Sequence, residues 1–347
     1  MAGDRHDAST PQPEPQEVVL QMVTAPWVSQ AIYVAAKLGI GDLLAAGPRA
    51  IGDLARTTGT HEASLYRLLR ALVSVGIFAR RGEHEFALTP LGDALRADHP
   101  RSARAFTLFF GSPVHWAVNG DLLRSVETGG TAFDRVFGMP FFDYLTSHPE
   151  SAATFDAAMT GISAPHVHAI LAAYDFSSFT HLVDVAGGRG HVLAAVLRAH
   201  PKLRGTLFDV AYSIEGAREQ LAAASDLAGR VELVEGDFFA SVPAGADAYF
   251  LKNIIHDWDD ERSTVILRNC RRAIAPSGKL LVAEFVLADD DEPSFGKLLD
   301  LEMLLFAPQG RERTQAEYRR LLAGAGFELG RVISTATGIG LIEARPV

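Results

Sequence analysis

The sequence predicts an α/β protein: a doubly wound, mostly parallel sheet preceded by an N-terminal winged-helix domain that is otherwise all-helical. Three observations lead to this prediction. Short apolar strands alternate with helices from residue 179 onward, a glycine-rich loop joins the first of these strands to its helix, and two helices and a hairpin precede residue 100. A helix between two strands returns the chain across the sheet, so the strands pair in parallel. The length of 347 residues suits about two domains.

The N-terminal segment contains two features that could be mistaken for targeting signals. Residues 1–16 lack an apolar run, and we expect a disordered leader rather than a signal peptide. Residues 18–36 carry no charge, but Pro26 and several polar residues interrupt the run. We therefore expect a pair of buried helices here and no membrane span.

Residues 17–100 are predicted to form the winged helix. Leucines at helical spacing, Leu65, Leu69 and Leu72, mark the buried face of its second helix, and residues 79–88 resemble two strands around a glycine turn. A winged helix can bind DNA, but this one has eight basic and eight acidic residues, and the whole chain has a net charge of −10. A DNA reader normally carries a positive excess. A dimerisation and substrate-cap domain is favoured, and a DNA-binding regulator is the rival.

Two further segments complete the predicted organisation. Residues 101–178 are expected to be a helical connector whose many aromatic side chains contribute to a substrate pocket. Residues 179–347 are expected to form the α/β domain, with a C-terminal hairpin at one edge of the sheet. Its predicted strands are residues 182–185, 205–210, 230–235, 246–251, 279–287, 327–335 and 340–345.

The glycine-rich loop predicts a nucleotide site. Residues 184–190 read Asp-Val-Ala-Gly-Gly-Arg-Gly between a strand and a helix, where glycines let the backbone approach a ligand and the helix start offers N–H groups. Asp209 ends the next strand, at the usual place of the acid that binds ribose hydroxyls. Asp237 and Phe238 follow the third strand, where an adenine would be bound. Together the three positions resemble S-adenosylmethionine (SAM) methyltransferases rather than dehydrogenases.

Residues 251–261, Leu-Lys-Asn-Ile-Ile-His-Asp-Trp-Asp-Asp-Glu, narrow the resemblance. They closely resemble the signature of the plant-type small-molecule O-methyltransferases and their bacterial relatives in aromatic polyketide and phenazine pathways. The similarity continues through residues 269–284 and 310–314 and covers nearly the whole chain from residue 18. It implies a Rossmann-like class I methyltransferase sheet with a winged-helix dimerisation domain.

The resemblance also implies roles for individual residues. His256 matches the general base, and Glu284 and Glu312 match the acids that flank it. The positions that match SAM contacts in the family are Gly187, Gly188, Asp209, Asp237, Phe238 and Lys252. The positions assigned to the acceptor are Met159, Met303 and Trp116. A base near neutral pKa suits this chemistry, because a phenol with a pKa of about 10 is a weak nucleophile until its proton is removed.

The expected protein is thus a cytoplasmic homodimer that methylates a phenolic hydroxyl of an aromatic small molecule, without metal, membrane or nucleic acid. N-methylation, or recruitment of the fold to decarboxylation, hydroxylation or cyclisation, remains open. Three departures from the family pattern stand out: Ala186 replaces the first loop glycine, Val-Ala-Tyr replaces Leu-Pro after Asp209, and Ala307 or Pro308 replaces an asparagine.

Overall fold

The computed structural model describes residues 14–222 and 224–347. Most of the expected leader, residues 1–13, lies outside the described residues, and the first helix already begins at Pro15. The chain divides into two compact units, Met1–Ser112 and Pro113–Val347.

The first unit contains the expected helix–helix–hairpin motif. Its helices are α1 (Pro15–Lys37), α2 (Ile40–Leu43), α3 (Ile51–Thr58), α4 (Glu62–Ser74), α5 (Pro90–Asp93) and α6 (Arg104–Phe110). Its strands are β1 (Arg49–Ala50), β2 (Phe78–Arg81) and β3 (Glu85–Leu88), paired antiparallel in the order β1-β3-β2. Strand β1 thus adds to the β2–β3 hairpin to form a three-stranded wing, and the unit is not purely helical. Leu65, Leu69 and Leu72 lie in the core of this unit, as their spacing predicts.

Helix α1 corrects one expectation, because residues 18–36 form part of one continuous helix and not a buried pair. Pro26 lies inside this helix without ending it. Val19, Met22, Val23 and Trp27 on α1 are more than half exposed. By length and composition α1 is the one described helix that could cross a membrane, a test that core helices of soluble proteins and signal sequences also pass.

The second unit packs helices around a seven-stranded sheet. Its helices are α7 (Pro113–Asn119), α8 (Leu122–Thr128), α9 (Ala132–Phe137), α10 (Phe141–Ser147), α11 (Pro149–Ala173), α12 (His191–Ala199), α13 (Ala211–Ala222), α14 (Asp260–Ala273), α15 (Phe295–Phe306) and α16 (Gln315–Gly324). Its strands are β4 (His181–Val185), β5 (Arg204–Asp209), β6 (Val231–Glu235), β7 (Ala248–Lys252), β8 (Lys279–Glu284), β9 (Val286–Leu287), β10 (Arg313–Thr314), β11 (Phe327–Ser334) and β12 (Gly340–Pro346). The expected helical connector corresponds to α6 to α11.

The order of the strands places the site. The large sheet runs β11-β12-β8-β7-β4-β5-β6, with parallel pairing from β6 to β8 and the antiparallel hairpin β11–β12 at the edge beside β8. The doubly wound fold is therefore confirmed. From β4 the chain moves outward through β5 to β6, then returns to β7 on the other side of β4. This reversal opens a crevice at the carboxyl ends of β4 and β7, where such sheets bind ligands.

Two buried clusters hold this sheet between its helices. One contains Leu193 and Leu197 of α12 against Leu207, and the other contains Ile266 and Cys270 of α14 against Leu251. Because the strands are buried on both faces, they read as continuous apolar runs, which is typical of a parallel sheet.

Candidate active site

The loop after β4 is shaped for close approach by a ligand. A side chain at Gly187 would place its Cβ 2.5 Å from the carboxylate of Asp184, whereas the space around Gly188 is open to 4 Å. Gly188 and Gly190 have positive φ angles of 59° and 77°, which glycine adopts without strain. Ala186 also has a positive φ, 55°, so the departure from the family pattern puts a side chain where the backbone favours glycine.

Asp184 and Asp209 are the two acids beside this loop. Asp184 is buried, its Oδ2 atom has no hydrogen-bond partner, and burial together with Asp209 raises its pKa to about 7. Asp209 accepts the Gly188 N–H at 2.8 Å, and burial raises the pKa of this carboxyl as well. An unsatisfied buried acceptor is costly, and this one lies directly beneath the glycine-rich loop.

The segment after β6 lies at the next strand end. Asp237 is exposed and accepts the Phe239 N–H at 2.8 Å. Asn269 of α14 donates to the carbonyl oxygens of Phe238 and Phe239 at 2.7 and 3.0 Å. The rings of Phe239 and Trp258 pack edge to face at 4.8 Å between centroids. These contacts hold the segment in a defined conformation beside the carboxyl end of β5.

Lys252 ends β7 and connects the sheet to α11. It donates to Ser163 Oγ at 3.0 Å and to Asn253 Oδ1 at 2.7 Å, and burial lowers its pKa to about 8. Met159 lies one helical turn before Ser163, so the two side chains share a face of α11. That face is therefore directed to the crevice. The sequence offered no signal for Ser163.

A second contact ties α11 to the glycine-rich loop. Asp156 accepts hydrogen bonds from Arg189 at 2.7 Å and from the Tyr212 hydroxyl at 3.2 Å. Asp156 lies two turns before Ser163 on the same face of the helix. Tyr212 belongs to the Val-Ala-Tyr segment that replaces Leu-Pro after Asp209, and its hydroxyl hydrogen-bonds to Asp156.

The structure brings His256, Glu284 and Glu312 together. His256 Nδ1 donates to Glu312 Oε1 at 2.7 Å and lies 3.7 Å from Glu284 Oε2. Glu284 Oε1 in turn accepts the N–H groups of Ile254 and Ile255 at 3.0 and 2.9 Å. Glu312 is thus the direct partner of the imidazole, and Glu284 fixes the backbone that carries it.

The other imidazole nitrogen, Nε2, forms no hydrogen bond within the part of the chain that the structure describes. His256 Nε2 lies 3.6 Å from Asp257 Oδ1, beyond hydrogen-bond distance. With Nδ1 donating to Glu312, the neutral ring carries its lone pair on Nε2. The pair therefore has the geometry of an oriented general base.

The electrostatics of the pair favour the charged imidazole. Burial by itself would lower the pKa of His256, but Glu284, Asp257 and Glu312 together outweigh it and raise that pKa to about 10. Burial also raises the pKa of Asp257 to about 6 and that of the Glu284 carboxyl above its usual range. This pKa is well above the near-neutral value expected from the sequence, because three carboxylates surround the buried ring. It is close to that of a phenol, about 10, so proton transfer between a phenol and this imidazole would be nearly balanced in energy.

Arg313 holds the loop that carries His256. Its fully buried guanidinium donates to the carbonyl oxygens of Ile255 and Trp258 at 2.9 and 2.7 Å and to Asp260 Oδ1 at 2.9 Å. Arg311 pairs with Glu317 at 2.7 Å. Neither arginine forms an ion pair with Glu312, which lies between them in the sequence and instead hydrogen-bonds to His256.

The three central side chains also form a possible metal-ligand set. Donor atoms of His256, Glu284 and Glu312 lie within 4.8 Å of one another. Glu284 Oε1 receives two backbone N–H groups and Glu312 Oε1 receives the imidazole proton, whereas the Oε2 atoms of both carboxylates are buried without a hydrogen-bond partner. Hydrogen bonding therefore accounts for one oxygen of each carboxylate and leaves the other free to act as a ligand.

The other two residues that were expected to contact the methyl acceptor lie in the second unit and differ in solvent exposure. Met303 is buried on α15, whereas Trp116 on α7 is 39% exposed. Asp300, one turn before Met303, accepts the Glu312 N–H at 2.7 Å and so ties α15 to the acid beside the base. No sequence signal pointed to Asp300.

Known proteins resemble this chain over most of their length. Residues 119–328 match the O-methyltransferase domain model, and residues 20–98 match the O-methyltransferase dimerisation domain model. Phenazine O-methyltransferase PhzM of Lysobacter antibioticus is 45% identical over 332 residues, which cover 95% of this chain and 96% of that protein.

Solved structures agree with the sequence comparison. The crystal structure of LaPhzM has a TM-score of 0.93 at 44% identity and covers 96% of this chain and 100% of that chain. NcsB1, an O-methyltransferase from neocarzinostatin biosynthesis solved with SAM and 2-hydroxy-5-methyl naphthoic acid, has a TM-score of 0.80 at 35% identity and covers 92% of this chain and 96% of that chain. The predicted resemblance is confirmed: this chain belongs to the O-methyltransferase family.

Proposed function

We propose that this protein transfers a methyl group from SAM to a phenolic hydroxyl of an aromatic small molecule, with His256 as the general base. The observation that carries the proposal is the buried His256–Glu312 hydrogen bond of 2.7 Å, with Nε2 left to face an acceptor. When bound, SAM supplies an electrophilic methyl group. Transfer in line with the sulfonium depends on positioning, which a rigid site provides.

The residues at the carboxyl edge of the sheet fit this cofactor. Gly187 and Gly188 would admit it to the loop, and Asp209 would accept the ribose hydroxyls. Asp237 and Phe238 would contact the adenine, and Lys252 would contact the methionyl end. The unsatisfied Oδ2 of Asp184 and the open space at Gly188 support this assignment, because both suit a ligand rich in donors that approaches the backbone.

In the proposed reaction His256 removes the phenolic proton at Nε2 as the methyl group is transferred. Glu312 holds Nδ1–H, which keeps the lone pair on Nε2 and stabilises the imidazolium that forms. Glu284 holds the backbone of Ile254 and Ile255, so its role is to position the ring. Asp257, 3.6 Å from Nε2, adds to the stabilisation of the charged ring.

The wider setting is also part of the proposal. We assign no metal to the reaction. We also propose that the protein is a homodimer, which the match to the dimerisation model and the exposed apolar residues of α1 support. An aromatic natural product of the phenazine or polyketide type is the acceptor, with Met159, Met303 and Trp116 around it. A cytoplasmic location fits the single, buried Cys270, which needs no oxidising compartment.

The test compares wild type with His256→Ala. We expect methyl transfer to fall about 10²–10⁴-fold, with SAM affinity by calorimetry near that of wild type. Wild-type turnover should survive dialysis against EDTA, since no step needs a metal. Unchanged turnover in the variant would reject the base and favour the alternative of N-methylation, because an amine acceptor needs no base. Loss of turnover on chelation would reject the metal-free assignment.

A further inference from the structure

We propose that Asp156 is a positioning residue that couples binding of the cofactor to binding of the acceptor, because it ties α11 to the two chain segments that would hold SAM. This inference rests on the proposed function, in which Met159 of α11 contacts the acceptor. Asp156 takes no part in the transfer of the methyl group or the proton. Its role is to hold the acceptor-binding face of α11 in place when the cofactor is bound.

Asp156 contacts both of these segments directly. Its Oδ2 atom accepts hydrogen bonds from Arg189 Nη2 at 2.7 Å and from the Tyr212 hydroxyl at 3.2 Å. Arg189 belongs to the glycine-rich loop, and Tyr212 lies three residues after Asp209. Burial is the main cause of the raised pKa of the Asp209 carboxyl, and the charge of Asp156 adds to it, so the two acids lie near each other. A ligand that orders the loop and the Asp209 segment therefore also orders the partners of Asp156.

One face of α11 crosses the carboxyl edge of the sheet. Four residues of this face follow one another at intervals of three or four positions, which places them on one side of a helix: Asp156, Met159, Ser163 and His166. Ser163 accepts from Lys252 at the end of β7 at 3.0 Å, and the His166 ring packs edge to face on Phe285, just after β8, at 5.6 Å. With Asp156 bound to the loop after β4, the face meets the ends of three strands. Met159 lies between these contacts.

Pro165 interrupts the hydrogen bonding of α11. It lies inside the helix and lacks the N–H that would bond to the carbonyl oxygen four residues earlier. After it, Val167 and Ile170 are buried in one of the clusters that cover the sheet. The half of α11 before it, which carries Asp156 and Met159, therefore depends more on side-chain contacts for its direction. The ion pair of Asp156 is such a contact, and its carboxylate side chain is only 23% exposed.

The experiment measures the coupling between the two sites. The dissociation constant of 2-naphthol is measured by calorimetry with the full chain, once with saturating S-adenosylhomocysteine and once without it. For wild type we expect 2-naphthol to bind at least about fivefold more tightly with S-adenosylhomocysteine, which is the lower end of typical coupling between sites. Asp156→Asn removes the charge at constant size and should reduce this factor to about twofold or less, because a neutral hydrogen bond to Arg189 is weaker.

Two variants serve as controls, and circular dichroism checks that all variants are folded. Asp156→Glu keeps the charge and should retain part of the coupling. Asp226→Asn is the matched control, because Asp226 pairs with Arg198 at the same distance of 2.7 Å. Arg198 lies in the last turn of α12, which begins at the glycine-rich loop and runs to the opposite edge of the sheet. We expect the wild-type coupling factor in this control.

The inference is overturned by a wild type that binds 2-naphthol equally with and without S-adenosylhomocysteine, or that does not bind it. It is also overturned if Asp156→Asn keeps the wild-type factor, or if Asp226→Asn loses it to the same extent. If Asp156→Asn does not fold, Tyr212→Phe decides, since it removes one of the two hydrogen bonds and must lower the factor. None of these measurements needs turnover, so the inference and the His256→Ala test of the proposed function can fail separately.

Discussion

Replacing Glu312 by glutamine should move the pH dependence of methyl transfer toward lower pH. The substitution keeps the size of the side chain and removes one of the three carboxylates around His256. Those carboxylates raise the pKa of the imidazole, so the loss of one lowers it. A smaller maximal rate is also expected, because the amide holds the Nδ1 proton less strongly than a carboxylate.

The magnitude follows from the pKa of about 10 for His256. A base with this pKa is neutral in roughly one molecule in a thousand at pH 7, and the neutral fraction rises about tenfold per pH unit until pH 10. An opposite charge within about 4–6 Å changes a pKa by roughly 1–3 pH units. The Glu312 oxygen is 2.7 Å from Nδ1, so we expect the rising part of the profile to move down by at least about one pH unit.

The assay is kcat/KM for methyl transfer between pH 6 and 10, because the pH dependence of kcat/KM reports the pKa values of groups in the free enzyme. A phenolic probe that the wild type turns over serves as the acceptor, and the wild type is measured beside Glu312→Gln. Glu317→Gln is the matched control, because Glu317 pairs with Arg311 and not with the base. A flat wild-type profile, or a variant whose limb moves to higher pH, would refute the electrostatic account of the base.

Three further substitutions test the architecture around the site. Gly187→Ala should weaken SAM binding at least about tenfold by calorimetry, since the new Cβ meets the Asp184 carboxylate at 2.5 Å. The neighbouring Ala186→Gly should leave SAM binding intact and change the free energy of unfolding by nothing or by a stabilising amount of about 1 kcal/mol, because the backbone there has a φ of 55°. Equal effects of the two substitutions on SAM binding would contradict both arguments. Arg313→Met should lower the free energy of unfolding by about 2 kcal/mol in urea titration, because two carbonyl oxygens and Asp260 each lose a charged donor, although Asp260 keeps its contact with Arg311. A loss below about 1 kcal/mol would show that Arg313 is dispensable for the loop.

The fold was predictable because its signals are local. Apolar strands, helical spacing and a glycine-rich turn all lie within short segments. The observed strand ends differ from the predicted ones by at most two residues, except that the strand expected at residues 279–287 divides into β8 and β9, and β9 pairs with β10 outside the large sheet. Residues 18–36 are the exception. Pro26 indicated a break, but the helix continues through it. The uncharged segment was taken to be buried, although most residues of α1 before residue 30 are exposed in the single chain.

The sequence by itself determined which chemical groups stand at the ends of the strands: Asp209, Lys252 and Glu284 each follow an apolar strand, and parallel pairing brings such ends to one edge. Only the tertiary structure decided which groups meet. His256 and Glu312 are 56 positions apart, Lys252 and Ser163 are 89 apart, and His115 and Glu302 are 187 apart. The local sequence around a residue indicates whether that residue is buried and which backbone conformation it adopts. Its contact partner depends instead on how helices such as α11 and α15 pack across the sheet, and no short segment carries that information.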